Sequence, residues 1–191
     1  MSVTDKTGLV EFARGLIQTG KWEIISTGGT AKVLIENGIP CILVENVTGF
    51  PEMLDGRLKT LHPKVFGGIL ADRNKTSHLE ALKEHDIGLI DLVVVNLYDF
   101  AGHPSVEQID IGGPSLLRAA AKNFHSVTVI VDPGDYGNML DDIKLSGAPS
   151  LEIRQWLAMK VFEATASYDG AIAAHFAKHD RAETLVELGK H

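Results

Sequence analysis

Four short segments carry the residue types that a phosphorylated small molecule requires. They are Thr4-Asp5-Lys6-Thr7-Gly8, Ser26-Thr27-Gly28-Gly29-Thr30, Gly56-Arg57-Leu58-Lys59-Thr60-Leu61-His62-Pro63 and Asp110-Ile111-Gly112-Gly113. The run Leu116-Leu117-Arg118-Ala119-Ala120-Ala121-Lys122-Asn123 follows the last of them. Together they offer backbone N–H groups, hydroxyls and cations. Consecutive N–H groups at Gly28-Gly29-Thr30, where a helix opens, could form an anion nest strengthened by the helix dipole; the plainer reading is an ordinary glycine turn. The segment is neither a Walker A loop nor a dinucleotide fingerprint. Lys6 at a helix start is a poor partner for the dipole unless an anion lies between them. Lys59, Tyr98, Asp110 and Lys122 form a candidate proton-transfer set.

Each candidate has a plainer reading. Arg57 and Lys59 could be solvated charges, but Leu58, Leu61 and Pro63 can pin their loop to the core. Asp110 could be a helix cap, although it stands about three residues early for one. Lys122 suits the C-terminal end of a helix by charge alone, while its alanine-rich turns suggest close packing that turns it inward. Tyr98 could be a rim tyrosine. His175 and His179 have metal-like i, i+4 spacing, yet no Glu lies between them and no third ligand is evident, so they read as a solvated face. His62 in Leu-His-Pro reads as a backbone partner.

These residues need elements to position them. Asp5 is placed as the cap of a helix running to Thr19. Strands are expected at Trp22–Ser26, Pro40–Val44, Val65–Ala71, Asp91–Leu97 and Val127–Val131, with Ser2-Val3 as the tail of another. Helices are expected at Thr30–Asn37, Ser77–His85, Pro114–Asn123, Asp135–Leu145 and Ser150 to about Lys178. Glu45–Pro63 is a long irregular stretch, which in a compact domain points to binding. Strands alternating with helices give an α/β fold with a mostly parallel central sheet. Ligands then bind at the carboxyl ends of the strands.

Composition sets the bounds. The 191 residues suit one domain with a full core. A net charge of −7 argues against a nucleic-acid surface. The single cysteine, Cys41, allows no internal disulfide and fits a reducing compartment. No apolar run is long enough to span a bilayer. A cytoplasmic protein is the simplest expectation.

The motifs Ser-Val-Thr-Asp-Lys-Thr-Gly-Leu, Ser-Thr-Gly-Gly-Thr, Thr-Gly-Phe-Pro-Glu-Met-Leu-Asp-Gly-Arg, Lys-Thr-Leu-His-Pro-Lys, Asn-Leu-Tyr, Ile-Asp-Ile-Gly-Gly and Arg-Ala-Ala-Ala-Lys-Asn cover nearly the whole chain. They resemble the IMP cyclohydrolase domain of the PurH-type bifunctional purine-biosynthesis proteins. The resemblance implies a methylglyoxal-synthase-like three-layer α/β sandwich. It implies dehydrative closure of 5-formamidoimidazole-4-carboxamide ribotide to IMP, no metal or organic cofactor, and a homodimer. Residues 1–191 are then a single cyclohydrolase domain without the family's formyltransferase domain, and the loop from Asp99 to Val106 is shorter than usual. By this resemblance Lys59, Tyr98, Asp110 and Lys122 are catalytic, with Lys122 the first choice of proton shuttle. Thr4, Asp5, Lys6, Thr27, Gly28, Gly29 and Thr30 hold phosphate and ribose. Arg57, Leu58, Thr60 and Ile111 line the ligand, and the backbone at Val95 and Asn96 meets the base. Two other functions fit the same fold: a methylglyoxal-synthase-like phosphate lyase, and a non-catalytic phosphate-ligand sensing domain.

Overall fold

The computed structural model describes the backbone of residues 1–188 and the side chains of residues 1–177, so the side chain of His179 lies outside the described residues. The elements run α1 (Leu9–Gln18), β1 (Ile25–Ser26), α2 (Gly28–Glu36), β2 (Ile42–Leu43), α3 (Val44–Thr48), α4 (Pro63–Leu70), α5 (Thr76–Glu84), β3 (Leu92–Val94), α6 (Gly112–Lys122), β4 (Thr128–Ile130), α7 (Tyr136–Ser146) and α8 (Leu151–Leu188). Both strand pairs, β1 with β2 and β3 with β4, are parallel. The first residues of the chain join them. Ser2 bridges Val95 in parallel, and its N–H donates to the Val94 carbonyl at 2.9 Å. The Ser26 hydroxyl donates to the Met1 carbonyl at 2.7 Å. The order across the sheet is therefore β2, β1, residues 1–3, β3, β4.

The helices fall into two groups. In one, α1 packs on α2 and α7; in the other, α6 packs on α4, α8, β3 and β4. With the strands between them they make a three-layer α/β sandwich. Leu9, Phe12, Ala13 and Leu16 give α1 its buried stripe, spaced as a helix face requires. Leu116, Leu117 and Ala119–Ala121 do the same for α6. Burying one such leucine stabilises the fold by about 1.5–3 kcal/mol.

Four expectations need correction. Asp5 does not cap α1. Its carboxylate accepts from the Thr7 N–H at 2.9 Å and the Thr7 hydroxyl at 2.7 Å, and the helix starts three residues later, after Gly8. Val65–Ala71 is not a strand. The His62 ring accepts from the Lys64 N–H at 3.1 Å and Pro63 occupies the first turn, so the chain enters α4. Val65, Gly68 and Ile69 then share its buried face. Gly68 is required there: a Cβ would stand 2.3 Å from the Gly88 carbonyl oxygen. That glycine marks a close backbone approach rather than a weakened strand. The irregular stretch also begins later than expected, because Val44 opens α3, which Gly49 ends at φ 67°. Finally, His175 is not on a bare solvated face, since its ring meets the Phe100 ring edge-on at 5.6 Å. The strands are shorter than expected throughout, while α8 extends to Leu188.

Candidate functional site

A cavity of about 1010 Å³ opens where the carboxyl ends of β1 and β3 meet the N-termini of α2 and α6. Its position follows from parallel topology. Thr27 leaves β1 extended and Gly28 starts α2, so the free N–H groups of the first turn face the opening. Thr30 is tied down at the same place. Its hydroxyl accepts from the Val3 N–H and donates to the Val3 carbonyl, both at 3.0 Å. Asn96, just past β3, fixes the next residues. Its Oδ1 accepts from the N–H groups of Thr4 (2.6 Å) and Asp5 (3.0 Å), and its Nδ2 donates to the Asp5 carbonyl (2.8 Å). Lys6 is thereby held at the rim, with its Nζ 3.3 Å from the Thr4 carbonyl.

The segment 53–60 supplies the opposite wall. Met53 and Leu58 form an antiparallel bridge, and Leu54, Asp55 and Gly56 between them have φ of 55°, 53° and 86°. Gly56 lies over Lys59, so closely that a Cβ would stand 2.8 Å from Lys59 Nζ. Lys59 Nζ also comes within 3.6 Å of the point a Gly28 side chain would occupy. The lysine thus reaches the α2 N-terminus. Thr60 Oγ1 stands similarly close, 3.1 Å, to the Cβ position of Gly112 at the start of α6. Lys59 pairs with Glu52 at 2.9 Å, and Arg57 pairs with Glu107. Such partly exposed pairs contribute little, so an anionic ligand can displace the carboxylates.

Asp110 sits at the mouth of α6. Its Oδ1 accepts from the Gly113 N–H at 3.0 Å. It therefore caps the helix after all, from three residues upstream, while still lining the cavity. Burial pushes its carboxyl above the ordinary value, and bonds from the Gly113 and Gly112 N–H groups oppose that rise. Tyr98, half exposed, lines the same space. The short loop after it is anchored by the buried ring of Phe100 and by Asp99 Oδ1 accepting from the Gly102 N–H.

Of the residues picked from the sequence, the cavity brings together Thr4, Lys6, Thr27, Gly28, Gly29, Thr30, Arg57, Lys59, Thr60, Asn96, Tyr98, Asp110 and Ile111. Four stand elsewhere. Asp5 is turned onto Thr7. Leu58 belongs to the bridge with Met53. Val95 is 2% exposed in the core. Lys122 is the last residue of α6, exposed beside an apolar groove lined by Phe124, Met159 and Phe162. Asp110 and Lys122 do flank one helix, but at opposite ends, and 11 residues of helix span about 16 Å. Lys122 therefore cannot serve the cavity of its own chain. Asp55 and Ile109 line the cavity from within the quoted motifs without having been picked as site residues, and Glu107 lines it from outside any motif. Glu107 alone had a readable signal, as an acid within reach of the cationic loop.

Among the described residues no helix is long and apolar enough to cross a membrane. Residues 8–125 match the MGS-like domain family and residues 120–190 match the AICARFT/IMPCHase bienzyme family. The chain is similar to the bifunctional purine biosynthesis protein PurH of Streptococcus suis, at 55% identity over 97% of this chain and 38% of the relative. The PurH of Streptococcus pneumoniae strain 70585 is 56% identical over 92% of this chain and 36% of its own length. The chain thus spans well under half of the curated relatives it matches. Among solved structures it is similar to ForH, with a TM-score of 0.85 and 36% identity over 93% of this chain and 95% of that one. The chain belongs to the MGS-like domain family.

Proposed function

We propose that this chain is an IMP cyclohydrolase, closing the six-membered ring of 5-formamidoimidazole-4-carboxamide ribotide with loss of water. One observation carries the reading: a single cavity gathers a helix N-terminus with hydroxyls for a phosphate, together with Lys59, Tyr98 and Asp110. A phosphate-sensing domain would need the first part and not the second. The PurH relatives named above add support from sequence.

Holding the ribotide phosphate at the α2 N-terminus, with Lys6, Thr27 and Thr30, fixes the two reacting groups against each other. The carboxamide nitrogen then attacks the formyl carbon. A C–N bond forms, the nitrogen gives up one proton, and negative charge grows on the formyl oxygen. Lys59 meets that charge. Asp110, its pKa raised by burial, is poised to accept the nitrogen's proton, and Tyr98 can donate to the oxygen. The formamide nitrogen then gives up its own proton as its bond to the former formyl carbon becomes C=N, and the hydroxyl, protonated in the same step, leaves as water. No step needs a metal or organic cofactor. Ultraviolet absorbance on mixing the formylated ribotide with the chain tests this. The expected result is the appearance of the purine chromophore. Phosphate release from a triose phosphate, without ring closure, would replace this reading by the lyase.

The phosphate grip predicts a ligand preference. IMP at 100 times its Kd should raise the melting temperature by about 5–10 °C through mass action, and inosine at the same concentration should do far less. Equal shifts would remove the phosphate assignment. Raising the salt concentration should weaken IMP binding.

In our reading the protein works as a homodimer in the cytoplasm, without nucleic-acid or membrane partners, in keeping with its net charge of −7. Lys122 then contributes across the subunit boundary, where its apolar neighbours Phe124, Met159 and Phe162 favour a contact. Lys59→Ala and Lys122→Ala chains should each be weak alone. Mixed and reassembled, they should recover about a quarter to a half of the parent rate, since some dimers then hold one intact site. No recovery on mixing would retire Lys122 from the mechanism.

A further inference from the structure

We infer that Tyr168, on α8, is a positioning residue that holds the Asp110 segment in its working place. The inference rests on the ring-closure reading and extends it to a residue outside the cavity. Tyr168 is 7% exposed and sits 58 residues downstream of Asp110. Its hydroxyl accepts from the Asp110 N–H at 2.7 Å and donates to the Gln108 carbonyl at 2.8 Å. One side-chain atom thus satisfies two backbone groups of a segment that forms no sheet or α-helix of its own. Its ring packs edge-on against Phe100 at 6.1 Å, the residue that anchors the loop after Tyr98. Tyr168 therefore touches both segments that deliver Tyr98 and Asp110. It approaches neither the phosphate grip nor Lys59. The Asp110 carboxylate is held by the N–H groups of Gly113 and Gly112 at the start of α6, so its aim into the cavity depends on where the backbone at Asp110 is held.

Tyr168→Phe keeps the ring contact and deletes both hydrogen bonds. The expected result is a fall in kcat of about tenfold, the scale of one or two ordinary hydrogen bonds. KM for the formylated ribotide and the Kd for IMP should move less than twofold. In an Asp110→Asn background the same change should alter kcat less than twofold, because the group being aimed is already disabled. Amide hydrogen exchange at Asp110 should rise about tenfold, while Leu116–Ala120 stay protected. Parent-like turnover in Tyr168→Phe overturns the inference. So does a fall in kcat matched by an equal loss of IMP affinity, or an equal fall in the Asp110→Asn background, since either would mark general weakening. If the parent chain closes no ring, the functional reading fails by itself. Exchange at Asp110 then decides the tether separately, and unchanged protection overturns it.

Discussion

Asp110→Asn lowers kcat for ring closure by about 10²–10⁴-fold, the span associated with losing a positioned acid–base group. IMP affinity changes little, because the proposed phosphate grip lies at α2 and Asp110 stands at the start of α6. Adding Lys59→Ala costs less than the product of the two single effects, since groups acting in one step are not additive. Stability moves the other way. Burial raises the folded pKa of Asp110. The stability linked to this carboxyl is therefore fully present below its unfolded value, about 3.9, and is lost as pH rises through the higher folded value. At pH 7 the ionised carboxylate is a liability. Asn cannot ionise, and its Oδ1 can still accept from the Gly113 N–H. The variant should melt at or above the parent at pH 7, with the gap narrowing toward pH 4. Calorimetry beside steady-state kinetics checks both halves. A variant that lost activity and melting temperature together would show a folding defect, and the catalytic assignment would fall.

Leu117→Ala should be the most damaging single truncation away from the site. Leu117 is fully buried on α6, which packs on α4, α8, β3 and β4. The loss of transfer energy plus the cavity left behind is about 2–5 kcal/mol. In a chain of this size each kcal/mol shifts melting by about 2–4 °C, so a drop of about 4–20 °C is expected. Measured well below its melting point, the variant should keep its KM, because Leu117 does not line the cavity. A shift under about 2 °C would mean that α6 is not the centre of this core.

The cavity was legible in the sequence because its parts are local. Glycine turns, helix starts and cations within a few residues of one another follow from spacing, and those segments converge as parallel topology requires. His62 was legible for the same reason, as its ring bonds the backbone two residues on. What failed was long-range. Val65–Leu70 is apolar at either period, and only its approach to the Gly88 carbonyl, twenty residues away, explains Gly68. Alanine-rich turns placed Lys122 inward, yet the alanines face the core and the lysine at the helix end faces out. Asp110 looked too early for a cap because spacing does not reveal that its side chain can fold forward to Gly113. Nothing within reach of Tyr168 along the chain hints at Asp110.

The seating of Ser2–Asp5 has a consequence for how the protein comes into being. These residues are made some ninety residues before their partners Val94, Val95 and Asn96. Val95 in turn hydrogen-bonds Ile130. During synthesis at about 5–20 residues per second, this segment must wait many seconds for the strand beside which it belongs. A nascent chain stalled before Asn96 would present Ser2–Asp5 unpaired. Pairings so distant in sequence also slow folding, because the loop between them must be closed before any contact rewards it. The grip proposed at Lys6 is therefore completed only after Asn96 has been made, and a chain stalled before it should bind no nucleotide.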